Sequence, residues 1–480
     1  MMTTLALIVL AGYFGLLVAV SFFTSRKADS ETFFTGNRTS PWYLVAFGMI
    51  GASLSGVTFV SIPGEVGNSG WTYLPVVVGN CVGYAVIALV LLPLFYRLKL
   101  ISIYSWLGNR FGESSRLTGS FFFIISQLIG ASFRLFLVVG VLQLAVFDAL
   151  GIPFAATVLI TIGLVWVYTF RGGIKTIVWT DTLQTIFMLA SVAVTIGIIC
   201  QALDFNFGTL AATVKDSELS RVWDFDWRSG HNTLKQFVSG IAITIAINGL
   251  DQNIMQKNLT CRSVRACQTN MFSFSGMFLL SNILFLVLGV LLYTYAEAEG
   301  IALPEKTDDV FAYLSLHYFG MAAGIIFLLG ITAAAYSSVD SSLTALTTSF
   351  CIDFLKLNPQ APEQKRKRIL VHLTFSLLMC GVIILFRELN DGSVINTLFT
   401  AVGYTYGPIL ALFVFGLATR RQVKNRWVPI VCLVSPLLSY LIQSHSEEWL
   451  GGYRFGFEIL LLNALICCIG LWCIRTKTSS

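Results

Sequence analysis

Between Leu5 and Cys473 the chain is a succession of apolar runs long enough to cross a bilayer, at about 4–24, 41–63, 70–96, 117–147, 153–170, 176–201, 236–255, 268–296, 319–350, 369–386, 394–418, 427–443 and 455–474. A helical span needs ~17–25 mostly apolar residues, and each of the thirteen runs qualifies. Hydrocarbon offers the backbone no hydrogen-bond partner, so only helices or closed barrels cross it. Continuous apolar runs without period-two alternation exclude the barrel. The predicted fold class is an all-α polytopic membrane protein of about thirteen spans, with residues 1–480 in a single transmembrane domain. The composition fits: 56% of residues are hydrophobic and only 12% charged, a balance that a water-soluble globule could not bury.

The formal net charge of +6 is explained by topology rather than by an acidic or nucleic-acid partner. Lys and Arg alternate between rich and poor connections. Arg26, Lys27 and Arg38 are followed by none at 64–69, then Arg97, Lys99, Arg110 and Arg116, then none at 148–152. Arg171 with Lys175, Lys257 with Arg262 and Arg265, the run Lys365-Arg366-Lys367-Arg368, and the set Arg420, Arg421, Lys424 and Arg426 continue the rich side. The positive-inside rule predicts an external N-terminus and, with an odd number of spans, a cytoplasmic C-terminus near Arg475 and Lys477. The first run carries its basic residues behind it, at Arg26 and Lys27, unlike a cleaved signal, and is expected to stay as a span. The short loops suit a bacterial inner membrane.

Ten scattered cysteines and four dispersed histidines form no metal-ligand spacing and no nucleophilic triad, and no nucleotide-binding loop is present. An enzyme is not expected. The long polar connection at about 202–235, with Trp223, Phe225 and Trp227, reads either as an amphipathic cap or as a solvated loop.

Two runs are poor helices. The second contains Gly48, Gly51, Ser53, Leu54, Ser55, Gly56 and Thr58; the seventh contains Ser239-Gly240 and then Asn248-Gly249-Leu250-Asp251-Gln252. Small and polar residues at membrane depth either interrupt a helix and open its carbonyls or let helices pack closely. The two runs are five apart, which reverses their direction, as an inverted repeat requires. In the ninth run Ala334, Ser337, Ser338 and Ser341 recur at helical spacing and share a face. Neutral oxygens beside open carbonyls suit a hard alkali cation; the alternative is serines bonded back to their own helix.

Ionisable groups in a span cost at least ~2.5–3.5 kcal/mol each, which singles out Arg134, Asp181 and Asp340. Either aspartate could neutralise a cation, and Asp181 lies near enough to the end of its run to face water. Arg134 calls for an anion: a substrate carboxylate, or Asp181 or Asp340 in a permanent pair.

Several motifs resemble the sodium/solute symporter family, which includes sodium/glucose, sodium/proline and sodium/sialic acid transporters. They are Phe33-Phe34-Thr35-Gly36-Asn37-Arg38, Ile103-Tyr104-Ser105-Trp106-Leu107-Gly108-Asn109-Arg110-Phe111-Gly112, the stretch from Gly172-Gly173 to Asp181-Thr182-Leu183-Gln184, Asp251-Gln252 with Gln256-Lys257, and the serines of the ninth run. The resemblance implies a LeuT-like inverted repeat of five helices. A leading helix (4–24) would precede repeats at 41–201 and 236–418, and trailing helices (427–474) would follow. It also implies Na+ as coupling ion, one or two per cycle. One site would be formed by Gly51, Leu54 and Ala334 carbonyls with Ser337 and Ser338 hydroxyls, and a second by Asp181, Ser337, Asp340 and Ser341. Asp340 stands where sialic acid transporters offer a hydroxyl, and Ser105 and Gly108 stand where relatives often carry acids.

Substrate contacts would map to Ser53, Ser55, Thr58, Arg134 and Asn248. Thr58 replaces an amide of neutral-sugar members, and with Arg134 this favours an acidic sugar such as a sialic acid, or another carboxylate. The alternatives are a neutral sugar, inositol or vitamin or, in a different class, a ligand-binding sensor or channel. The expected partners are a small organic solute and membrane lipid, with no nucleic acid and no obligate protein partner.

Overall fold

The computed structural model describes residues 2–26, 30–358, 364–389 and 394–476; Lys27 and Lys477, used above for topology, lie outside them. Among the described residues, nine helices are long and apolar enough to cross a membrane, two helix pairs are bent by 55° and 70°, and two shorter apolar helices complete the series. These correspond one to one with the apolar runs of the sequence. In chain order the principal helices are α1 (Met2–Ser25), the bent pair α2 (Trp42–Ser53) and α3 (Gly56–Ser69), α4 (Leu74–Val86), the short α5 (Ser105–Phe111), α6 (Glu113–Leu142), α7 (Phe154–Gly172) and α8 (Ile174–Ala202). Then come α9 (Phe207–Asp216), the bent pair α10 (Thr233–Thr244) and α11 (Gln252–Asn258), α12 (Val264–Ala298), α13 (Thr307–His317), α14 (Gly320–Ser349), α15 (Lys365–Leu389), α16 (Val394–Ala418), α17 (Val428–Ser444) and α18 (Ile459–Cys473). Among the described residues the strands are one antiparallel pair of two residues each, Gln422–Val423 with Arg475–Thr476, which ties the connection after α16 to the chain's last described residues.

The most buried spanning helix is α14, surrounded by α2, α6, α8 and α15, so its serines face protein rather than lipid. The second run extends beyond its predicted end at 63. α3 runs through Pro63 and Gly64, continues to Ser69 and turns only at Gly70, with φ +61°. The added length is closely packed: a Cβ on Gly64 would fall 2.0 Å from Thr307 O, and one on Gly67 2.2 Å from Tyr293 Cζ. Tyr293 donates its hydroxyl to Gly64 O at 2.7 Å.

Gly240 belongs to close packing and not to a helix break. A Cβ there would lie 2.2 Å from Val76 O, and one on Gly79 2.1 Å from Phe237 O, so α4 and α10 meet backbone to backbone, as small residues permit in membranes. Gly240→Ala is therefore expected to destabilise the protein by ~1–3 kcal/mol through overpacking. Thermal unfolding in detergent should show it, and an unchanged midpoint would disprove the close contact.

The 202–235 connection is a folded cap rather than a bare loop. Asn206 and Thr209 form a capping box at the start of α9, and Trp71 N–H donates to Arg221 O at 3.0 Å, docking the connection on the turn after α3. Trp223 and Phe225 stay exposed and stack on each other, while Trp227 packs on Tyr453.

At the arginine-rich end, the Ile103–Gly112 motif and the residues beside it lock helices together. Arg110 donates to Gly416 O, Thr419 O and Arg421 O. Buried Asp353 accepts from Ser102, Ser120 and Ser349 and pairs with Arg116 Nε at 3.0 Å. Removing one partner of a buried pair leaves the other charge uncompensated, at about 3–5 kcal/mol. Arg116→Ala is expected to lower the thermal midpoint by a corresponding margin, while Asp353→Asn, which keeps an acceptor for the hydroxyls, should cost less. Equal losses would refute this account of the pair.

Candidate substrate cavity and cation sites

The first break follows from a stretch with neither side-chain caps nor continuing helix geometry. Leu54 (φ −84°, ψ 76°) and Ser55 (φ −68°, ψ 174°) leave the helical region, and α3 restarts at Gly56. A Cβ on Gly56 would meet Val138 Cγ2 at 2.4 Å, so the break is pressed against α6. The second break follows a widened turn at Ile245–Gly249. Asp251 is extended there and caps α11, Oδ1 accepting from Asn253 N–H at 2.7 Å, while Tyr406 donates its hydroxyl to Oδ2.

Both breaks line one central cavity. Ser53, Ser55 and Thr58 come from the first, Asn248, Asp251 and Asn253 from the second, and Arg134 from α6. All five residues predicted to contact substrate therefore share this wall. Neither Asp181 nor Asp340 pairs with Arg134: among the described residues no carboxylate lies within 4.0 Å of it. Asp251 is the acid in the same cavity. In the sequence Asp251 stands out as a polar residue of the poorly helical seventh run and as part of a family motif, with no sign that it shares a wall with Arg134. Ser53 Oγ, Asn253 Oδ1 and Asn282 Oδ1 are buried without a hydrogen-bond partner, and all three residues line the cavity.

The serines of α14 divide into two kinds. Ser341 and Ser342 donate back to Ser337 O and Ser338 O, at 2.8 and 2.6 Å. Ser337 instead donates to Asp181 Oδ1 at 2.6 Å, and Ser338 reaches Ala52 O at 3.4 Å, on the last turn of α2. The last carbonyls of a helix lack amide partners, and Ala52 O, on that last turn, is the one that meets Ser338. Gly51 makes the approach possible, because a Cβ there would lie 2.6 Å from Thr185 Oγ1 and 3.1 Å from Ser337 Oγ.

Asp181 does not face water. It is fully buried, and Lys257 Nζ sits 2.6 Å from its Oδ2, with both side chains 1% exposed. Lys257 was counted above as a connection charge; the structure makes it a buried ion-pair partner, because α11 folds back into the protein after the break. Asp340 Oδ2 accepts from Tyr168 at 3.0 Å and Oδ1 from Ser341 at 3.1 Å.

The model of the sodium:solute symporter family matches residues 33–425. The chain is 25% identical over 458 residues to the sodium/sialic acid symporter SiaT of Proteus mirabilis, covering 92% of this chain and 89% of that one. It is 25% identical to the sodium/sialic acid symporter NanT of Aliivibrio fischeri, with 88% and 84% covered. Among solved structures, the substrate-bound outward-open state of a Na+-coupled sialic acid symporter superposes with a TM-score of 0.82 at 21% identity, covering 97% of this chain and 96% of the other. Mhp1, a nucleobase-cation-symport-1 family transporter, shares the fold more distantly, with a TM-score of 0.55, 13% identity and coverage of 93% and 94%. With its helical, multi-pass architecture and its two broken spans, this chain belongs to the sodium:solute symporter family and is a sodium-coupled solute symporter, not an enzyme.

Proposed function

We propose that the carried solute is an organic carboxylate, with an acidic sugar such as a sialic acid as the first candidate. The observation that carries this proposal is Arg134, a guanidinium on the cavity wall with no carboxylate in pairing range among the described residues. A planar fork of donors suits a carboxylate held by two bonds. The unpartnered Ser53 Oγ, Asn253 Oδ1 and Asn282 Oδ1 favour a solute rich in hydroxyl or amide groups. A bare aliphatic acid would leave them unpaired, at about 1–3 kcal/mol each. Ser55, Thr58 and Asn248 add further polar contacts, and the similarity to SiaT and NanT points the same way.

For the coupling sodium we propose the carbonyls of Gly51, Leu54 and Ala334 with the hydroxyls of Ser337 and Ser338. The donor set fits: all five are neutral hard oxygens, and Ser337, with its hydrogen directed at Asp181, keeps its lone pairs for a cation. Gln127, on the cavity wall, donates to Ser342 Oγ at 2.8 Å, and Ser342 donates to Ser338 O, so solute and ion contacts bear on the same turn of α14. Sodium that pins α2 to α14 shapes the cavity, and each ligand raises the affinity for the other by the same factor. The repeats at 41–201 and 236–418 then move against each other to expose the cavity to the opposite side.

The test is uptake of labelled N-acetylneuraminate into proteoliposomes, with an inward sodium gradient and with choline in its place. Sodium-dependent accumulation is expected. Accumulation of a short carboxylate alone would retain the carboxylate and discard the sugar, and accumulation of neutral sugars alone would sink both.

A further inference from the structure

The second cation site implied by the family resemblance, Asp181 with Ser337, Asp340 and Ser341, does not fit a sodium ion in this chain. Both oxygens of Asp181 are engaged, Oδ1 by the Ser337 hydroxyl and Oδ2 by the Lys257 ammonium, each at 2.6 Å. Ser341 directs its hydroxyl to Ser337 O and Asp340 Oδ1, and Tyr168 covers Asp340 Oδ2. We infer that Lys257 is a tethered second cation, whose ammonium holds the place of a second sodium and limits this transporter to one sodium fewer than a relative with that site open. The inference deepens the sodium coupling proposed above and rests on that reading.

Three observations carry it. Lys257 is 1% exposed, too deep to serve as a topology charge, and its carboxylate partner is the one the resemblance assigns to sodium. A buried ion must be compensated locally, since moving it out of water costs several kcal/mol after relaxation. Asp181 and Asp340 supply at most two negative charges, and Lys257 with one sodium at the neighbouring site supplies two positive ones. A second sodium would leave an uncompensated positive charge, and a larger one were Asp340 protonated. The lysine also lies on α11, directly after the second break, so this fixed charge belongs to one broken span and the exchangeable one to the other.

The test counts sodium without any solute, by equilibrium binding of radioactive sodium to the purified full chain in lipid nanodiscs. Lys257→Met is expected to bind one more sodium per protein than the wild type, because the freed Asp181 recruits an ion. A folded Lys257→Met protein with an unchanged count overturns the inference, as does a wild type that already binds two. Should Lys257→Met fail to fold, Asp181→Asn with Lys257→Met removes both charges together. An unchanged count then supports the tethered cation, whereas loss of a sodium would make Asp181 an ion ligand and overturn it. A wild type that binds none, rising to one in Lys257→Met, would instead remove the proposed Gly51–Ser338 site and leave the role of Lys257 standing.

Discussion

Replacing Arg134 by glutamine is expected to raise the KM for N-acetylneuraminate by roughly 10- to 150-fold, because hydrogen bonds to a charged group are worth about 1.5–3 kcal/mol. The new side chain would keep polar atoms on the cavity wall but lose the charge and the planar fork. A companion Arg134→Lys variant restores the charge without the fork and should recover only part of the affinity. The decisive comparison is with the uncharged methyl ester of the same sugar. If Arg134 holds the substrate carboxylate, Arg134→Gln should discriminate little between acid and ester, while the wild type should strongly prefer the acid. Asp251 lines the same cavity, and a structural role for Arg134 in balancing that acid would weaken both ligands equally in the variant and preserve the preference. That outcome would remove the main support for an anionic substrate.

Converting Ser337 and Ser338 together to alanine is expected to abolish sodium-stimulated uptake. The double change removes the two hydroxyls proposed as ligands, including the contact of Ser338 with Ala52 O, 3.4 Å away. It also removes the donor from Asp181 Oδ1, so some stability will be lost; Lys257 remains on Oδ2 and keeps the charge paired. Thermal unfolding and detergent gel filtration separate a misfolded protein from a folded one blind to sodium. A folded double variant with wild-type sodium dependence would count decisively against the site. Since the coupling is reciprocal, the same variant should bind N-acetylneuraminate with an affinity that no longer responds to sodium.

Much of the fold was legible because the bilayer imposes a simple demand, visible residue by residue. The apolar runs carried the spans, and glycine and polar residues in the second and seventh carried the breaks at Leu54–Ser55 and Leu250–Asp251. Helical spacing grouped Ala334, Ser337, Ser338 and Ser341. Less legible were features that depend on what a segment packs against. The second run is predicted to end at 63, yet α3 runs on to Ser69, where Thr307 and Tyr293 close over its glycine flank. Gly240 looks like part of a break, yet it lets α10 touch Val76.

The sequence by itself determined the solvent, the helix class, the succession of apolar helices and the candidates for a buried chemistry, because hydrophobic length and the cost of buried charge are local properties of a chain. Only the tertiary structure decided how the charges pair: Lys257 with Asp181, Arg116 with Asp353, and Arg134 with neither of the acids first considered for it. Pairing is a matter of a few ångströms between residues that lie 76 and 237 positions apart, and no periodicity in one dimension encodes such distances. The same fold back of α11 that buries Lys257 turns an apparent surface cation into part of the protein's electrostatic core.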